Sequence, residues 1–401
     1  MSGFVPLSVS VFDRDFTLDP YPYIEPLYAE EGVLGFASEG MTFCFRFEDC
    51  HELIGAHRNV AREPLASEDT DNAQAEFASQ YPTRAWHFTY ALADMKLKAL
   101  LNRYLADLLQ RISLDEAEPV FGVLREPGLH EDYLDEVRLL PMRMLLAAWG
   151  FEFDEPLLQT LYDTSVALVK SFDNYGDADL MQLGEDGMAH NRQYVTEQFN
   201  NAAPGTLLHA FARESRAAGF ADDYAIASLV TFLQSTPNTI SVSTAFMLRN
   251  VLRFPAAVAP LREDPGKVND TVIMELLRRD NHVKALSRQV HVPFELRGHA
   301  LAPGDSLYIF YPGVNLDPTH WDAPLLLDFS RTFTRDNQNI FGGSRYACIG
   351  SRIALKYFAE VLPGILAQLP STARIDEDLI EVDGDWVAER VITRLPIEVP
   401  A

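Results

Sequence analysis

Apolar residues recur at helical spacing through most of the stretch between residues 91 and 282, and alternate in strand fashion only in short runs outside it. The helical pattern predicts segments over 91–112, 131–149, 156–172, 191–202 and 222–252, separated by stretches that contain proline and glycine. One or two further helices follow within 262–282. Near the N-terminus, Asp19-Pro20-Tyr21-Pro22-Tyr23 is rigid turn chemistry, a short helix over 24–31 stops at Gly32, and 33–36 with 41–45 form a hairpin pattern. Strand patterning returns at 289–294 and 300–310, punctuated by Gly298 and Pro303-Gly304-Asp305. A last helix is predicted to begin at Gly350 and to end before Pro363, and 373–399 alternates again. The expected class is mainly α with small β-sheets (α+β). The sheet-rich parts fall near 33–60, 289–310 and 373–399, the helical body near 90–282 and 350–362, and one domain spans 1–401.

The 222–252 segment is apolar almost all round, which marks a helix through the interior. Its centre breaks that rule with Gln234-Ser235-Thr236-Pro237-Asn238-Thr239. A proline inside a helix removes a donor, clashes with the preceding turn and costs about 3 kcal/mol. A kinked or opened helix is therefore expected at this point.

Charge narrows the function classes. With 33 Lys and Arg against 58 Asp and Glu, the formal charge is −25, which argues against general nucleic-acid or anionic-membrane binding. Neither a basic, then apolar, N-terminal leader nor an apolar run of membrane-spanning length is visible. The expectation is a cytoplasmic protein without membrane insertion. Only three cysteines occur, Cys44, Cys50 and Cys348, without a CxxC pair. This set is neither a disulfide framework nor a zinc knuckle.

Cys348 stands in the most informative stretch, Phe341-Gly342-Gly343-Ser344-Arg345-Tyr346-Ala347-Cys348-Ile349-Gly350. Small residues ahead of a cysteine let the backbone approach something flat, and a predicted helix opens at Gly350. A helix N-terminus favours a thiolate. The stretch resembles the haem-binding loop of the cytochromes P450, F-G-x-G-x-[HR]-x-C-x-G. Phe341, Gly342, Cys348 and Gly350 match it, Ser344 stands for the second glycine, and Tyr346 stands for the usual His or Arg. Without the resemblance, a structural cysteine in a glycine-rich turn also fits these residues.

The resemblance extends along nearly the whole chain. Glu275-Leu276-Leu277-Arg278 corresponds to the family's ExxR pair, with side chains meeting at i and i+3. The third partner of that pair falls near Leu326, so the network is expected to reduce to a pair. Pro303-Gly304-Asp305, Asn315-Leu316-Asp317-Pro318 and Asp328-Phe329-Ser330-Arg331 follow in the family's order. In the central helix, Ser235 and Thr236 take the small-residue places of the family's [AG]-G-x-[DE]-T motif, Asn238 takes the acid's place and Thr239 the alcohol's.

A P450 fold, a triangular helical prism around haem b (iron protoporphyrin IX), is what the resemblance implies. Cys348 would be the iron's ligand, pushing electron density toward the O–O bond. Lys98, Arg288, Arg345 and Tyr346 would face the haem propionates, with Asn102 at the place of a usual arginine. Thr239 and Asn238 would handle protons through water. The implied reaction is monooxygenation, most simply hydroxylation, of a small-molecule substrate. The family layout lines the pocket with residues just before 86–88, with 166–175, with the middle of 232–242 and with 282–286, Leu286 among them. His282 and Lys284 are read first as surface residues, with a polar or charged pocket end as the alternative.

An electron donor of the ferredoxin or flavodoxin type would dock on the Cys348 side, where Lys96, Lys98, Arg103, Arg345, Arg352 and Lys356 gather. The lost acid at Asn238 leaves room for other haem-thiolate chemistry, with peroxide as oxidant or a non-hydroxylating rearrangement. A haem-binding relative without turnover, or a haem-free helical partner-binding protein, completes the alternatives.

Overall fold

A 32-residue helix, Asp222–Arg253, is the axis of the fold. At 1.5 Å per residue it is about 48 Å long. Asp222 and Asp223 lie in its first turn, where negative charge suits the positive end of the helix dipole. Nearly every side chain from Ala225 to Leu252 is buried or half-buried, and the helix packs against Leu140–Trp149, Glu155–Asp173, Ala178–Asn201, Leu207–Ala217 and Asp270–Arg279. One apolar cluster joins these elements, from Leu97 and Trp149 through Phe246 to Tyr357 and Ile397. The computed structural model describes residues 3–56, 60–61, 75–91, 95–112, 126–173, 176–343 and 347–400.

The sheets lie outside this helical body. In the largest, the strands run in the order Phe4–Pro6, Gly35–Ser38, Met41–Cys44, Ser306–Phe310, Ala285–Val290 and Val60–Ala61. The expected hairpin is there, with Phe36 opposite Phe43 and their rings stacked at 4.9 Å between centroids. The chain then pairs over a long sequence separation: Phe43 lies opposite Tyr308 in a parallel ladder, and Arg288 opposite Leu307 in an antiparallel one. A smaller sheet joins Arg374–Ile375, Ile397–Val399 and Gly128–His130.

The main departures from the sequence pattern have local causes. The 131–149 segment divides into Leu134–Val137 and Leu140–Trp149, with Pro141 in the first turn of the second helix, where its missing N–H costs nothing. The helix expected at 191–202 begins at Ala178, capped by Asp177, whose carboxylate accepts from the amides of Asp179 and Leu180. Leu207–Ala217, capped by Thr206, was not anticipated. The last helix does not stop before Pro363 but continues to Gln368. The apolar face formed by Val361, Leu362, Ile365 and Leu366 is fully buried, and that burial outweighs the lost donor. The central helix likewise remains helical through residue 237.

Candidate active site

Cys348 sits in a loop fastened from both ends. Its amide donates to the Phe341 carbonyl at 2.9 Å, the Gly342 amide donates to Asn339 at 3.0 Å, and Asn281 Nδ2 holds the Ile340 carbonyl at 3.2 Å. Gly342 has φ +68°, a left-handed conformation that glycine adopts without strain. The helix Ser351–Gln368 begins directly after Gly350. Burial pushes the Cys348 thiol above its usual range, and the backbone N–H groups of Gly350 and Ser351 nearby act against that. Desolvation is the larger of the two effects.

Cys348 and Ala347 nonetheless carry open surface. In the central helix Ser235 is exposed and Thr239 half-exposed, although Gln234, Thr236 and Asn238 beside them are buried. Open surface thus occurs halfway along an otherwise buried helix. Thr239 Oγ1 donates to the Ser235 carbonyl at 2.7 Å, which uses its hydrogen and leaves its lone pairs to accept. Asn238, 2% exposed, turns its Nδ2 to Glu389 Oε2 at 2.7 Å.

Glu275 and Arg278 are both fully buried and bonded twice, Nε to Oε2 at 2.7 Å and Nη2 to Oε1 at 2.8 Å. The network is not reduced to a pair. Arg331 supplies the third member, its Nε donating to Glu275 Oε1 at 3.2 Å. Leu326 contributes only its main-chain carbonyl, to Arg278 Nη2 at 3.2 Å. Both arginines also lie over the Trp321 ring, at 5.4 and 5.6 Å. The sequence carries the signal for this partner in Asp328-Phe329-Ser330-Arg331; the expected register was five residues too early.

Arg288 is 1% exposed in the strand Ala285–Val290, and its Nη1 donates to the Ser287 carbonyl at 2.7 Å. Lys98 is half-exposed and Asn102 exposed on the helix Met95–Arg111. Ser344, Arg345 and Tyr346 lie outside the described residues, as do Asn174 and Tyr175 of the expected pocket lining. Phe341 and Gly350 are half-buried, and Leu286 packs half-buried against the cluster under the large sheet.

Two expected pocket groups are engaged elsewhere. Lys284, 1% exposed, donates through Nζ to the Val11 carbonyl at 3.0 Å. His282 Nδ1 meets Ser243 Oγ at 2.7 Å, and burial together with Arg390 lowers its pKa to about 3. Each thus braces the core instead of forming a charged pocket end. On the cysteine side, Arg103 is paired with Glu214 at 2.9 Å and Lys356 with Glu360; Arg352 is exposed beside the loop, and Lys96 is exposed at the start of its helix.

Sequence patterning missed a second buried cluster. Asp280 is flanked by Arg249, Arg279 and Arg390, and burial, which raises its pKa, is overcome by these three cations together with Arg253. Arg390 and Arg249 also hold the Leu18 carbonyl, each at 2.7 Å. The cluster ties the N-terminal helix, the central helix and the C-terminal strands together. No spacing motif announces it, because its members come from distant segments.

No family model matches the chain. Solved structures match it end to end. Epothilone B-bound cytochrome P450epoK superposes with a TM-score of 0.79 over 98% of this chain and 100% of that one, at 17% identity. CalO2 superposes with a TM-score of 0.72 over 98% of both chains, at 21% identity. This chain has the cytochrome P450 fold. Curated P450s also match in sequence. Cytochrome P450 CYP199A2 of Rhodopseudomonas palustris is 27% identical over 197 residues, 47% of this chain and 46% of that one. The biotin-biosynthesis cytochrome P450 of Bacillus subtilis is 25% identical over 139 residues, 34% of this chain and 33% of that one. The chain spans about half or less of the length of these curated relatives.

Cytochromes P450 bind haem b, and the residues present fit it. A cysteine with open surface stands directly ahead of a helix N-terminus, and a buried guanidinium suits the carboxylates at the haem edge. Among the described residues no helix is long and apolar enough to cross a membrane.

Proposed function

We propose that this P450 is a haem-thiolate monooxygenase, with Cys348 as the iron's protein ligand. The Cys348 loop carries the proposal: an exposed cysteine, a loop pinned at Phe341 and Asn339, and a helix that begins directly after Gly350. When bound, haem would supply the redox chemistry by which one oxygen atom enters the substrate and the other leaves as water, with electrons from a donor protein and matching protons from solvent.

The chain's own residues then have separable tasks. Amides of Gly350 and Ser351 stabilise negative charge on the sulfur. Arg288 is the buried cation for a propionate, and Lys98, Arg345 and Tyr346 are the further propionate contacts. Thr239 accepts a hydrogen bond from water in the space beside Ser235, because its own hydrogen is committed to the Ser235 carbonyl. Ser235, Thr236 and Leu286 contribute to the substrate pocket. A small organic molecule is the substrate class, and several curated relatives are named as monooxygenases or hydroxylases, the steroid C26-monooxygenase of Mycobacterium tuberculosis among them.

The donor is of the acidic ferredoxin or flavodoxin type, docking where Arg352 and Lys96 stand exposed on an otherwise acidic protein. The proposed location is the cytoplasm. The test is turnover of the purified protein with haem, a ferredoxin and its reductase, and a substrate chosen by its spectral shift. Isotope-labelled dioxygen should leave its label in the product. Label-free product, or product formed only with added peroxide, would contradict monooxygenation.

A further inference from the structure

Asn238 occupies the place where the central helix would carry an acid, yet a carboxylate stands 2.7 Å from its side chain. That carboxylate, Glu389, is 6% exposed and comes from the far end of the chain, just before the strand Val391–Arg394. Its backbone is fixed next to the segment that follows Arg278. Val283 and Glu389 form an antiparallel bridge, Lys284 donates to the Ala388 carbonyl at 2.7 Å, and Arg390 donates to the His282 carbonyl at 2.6 Å. Neighbouring residues in an extended chain point to opposite faces. Accordingly the two side chains diverge: Arg390 reaches Asp280, the carbonyls of Thr17 and Leu18 and the Phe246 ring further along the central helix, while Glu389 meets Asn238.

We propose that Glu389 is the acid of the Thr239 side of the site and works through Asn238, so that the carboxyl missing from the central helix is supplied by the C-terminal strand. This rests on the monooxygenase reading above. Asn238 Nδ2 donates to Oε2 and fixes the carboxyl group beside the central helix, and Glu389 in its acid form holds the proton. The proton passes by water to the neighbourhood of Thr239, one residue further on, and Glu389 recovers it from bulk solvent. Nothing is oxidised or reduced in this step. Glu389 is thus a positioning and proton-holding residue.

The charged and titratable groups around it come from each packed element. Tyr162 feels its charge from the helix Glu155–Asp173, with Asp163 and Arg138 close to the same phenol. His282, on the adjoining segment, is bonded to Ser243, and Arg390 follows in sequence.

The test compares the holoenzyme with E389Q, E389D, N238D and the exchange variant N238D/E389Q. In E389Q the reduced carbonyl spectrum and the substrate-induced shift should match the parent, while product formation falls by roughly 10²-fold, the usual scale for losing a proton-transfer group. The fall of product rate with rising pH, caused by deprotonation of the acid, should disappear with it. The exchange variant restores an acid–amide pair and should recover product to within about tenfold of the parent.

A second readout is independent of turnover. An infrared carboxyl band that titrates in the parent should vanish in E389Q and return in N238D/E389Q. If E389Q fails to take up haem, E389D is read in its place: a titrating band and a retained pH limb support the proposal, and their absence overturns it. E389Q with parental product yield and an unchanged pH limb also overturns it. A parent protein that forms no carbonyl adduct would instead refute the haem reading on which it stands.

Discussion

Arg331 Nε donates to Glu275 Oε1 over 3.2 Å, across 56 residues of sequence, and makes a buried triad of what the Glu275–Arg278 spacing alone shows as a pair. Glu275 also accepts from the Asp328 amide at 2.9 Å. Arg278 also donates to the carbonyls of Asn315, Pro324 and Leu326. A buried ion cluster is tolerable when its lone pairs and protons are all met, and removing one member leaves an uncompensated charge.

Glu275→Gln should therefore cost about 3–5 kcal/mol, the range for breaking a buried pair. Urea unfolding of the variant and the parent measures this. A loss below about 1 kcal/mol, the level of an exposed ion pair, would show that the triad is not what holds this region.

Thr239→Ala should separate oxygen consumption from product formation. The variant removes a hydroxyl that donates back to the Ser235 carbonyl and leaves the helix ladder in place. Oxygen uptake and product are measured together with donor and substrate supplied. Oxygen use should continue while product falls and peroxide appears. An unchanged ratio would remove Thr239 from proton handling.

Reversing Lys96 and Arg352 to Glu should slow reduction by the donor and flatten its dependence on salt, because exposed cations steer an acidic partner through a screened field. Arg103 is paired with Glu214, so Arg103→Glu should matter less. Stopped-flow reduction at low and high ionic strength measures this. Equal rates across all three variants would place docking elsewhere.

Two buried histidines set an acid-side limit on stability. Burial lowers His87 to about 4, and burial with Arg390 lowers His282 to about 3, both from 6.5. The unfolded chain thus takes up protons near pH 6.5 that the folded chain refuses until far lower pH. Their contribution is present above about pH 6.5 and is lost as pH falls toward 4 and 3. His282→Asn should make denaturant stability less steep between pH 6.5 and 5. An identical slope would mean that His282 is as readily protonated in the folded protein as in the unfolded one.

Much of the fold was legible because its carriers are periodic. The central helix was placed to within one residue of its C-terminal end, and the 33–45 hairpin and the 289–310 strands within a few residues. Cys348, the Glu275–Arg278 pair and Thr239 were legible because each stands in a short motif. What escaped depends on contacts between distant segments. Arg331 was placed in the right run of residues but not given its partner, Lys284 and His282 were read as surface or pocket groups without sight of Val11 and Ser243, and Glu389 had no motif at all. The helix over 351–368 ran through Pro363 because tertiary burial outweighed a local propensity.

The most direct measurement is the absorption spectrum of the reduced protein with carbon monoxide, taken for the parent and for Cys348→Ala. The parent should show the strongly red-shifted Soret band of a thiolate-ligated haem, and the variant should lose it. A band in the variant identical to that of the parent, or a parent that takes up no haem when supplied with it, would contradict ligation by Cys348.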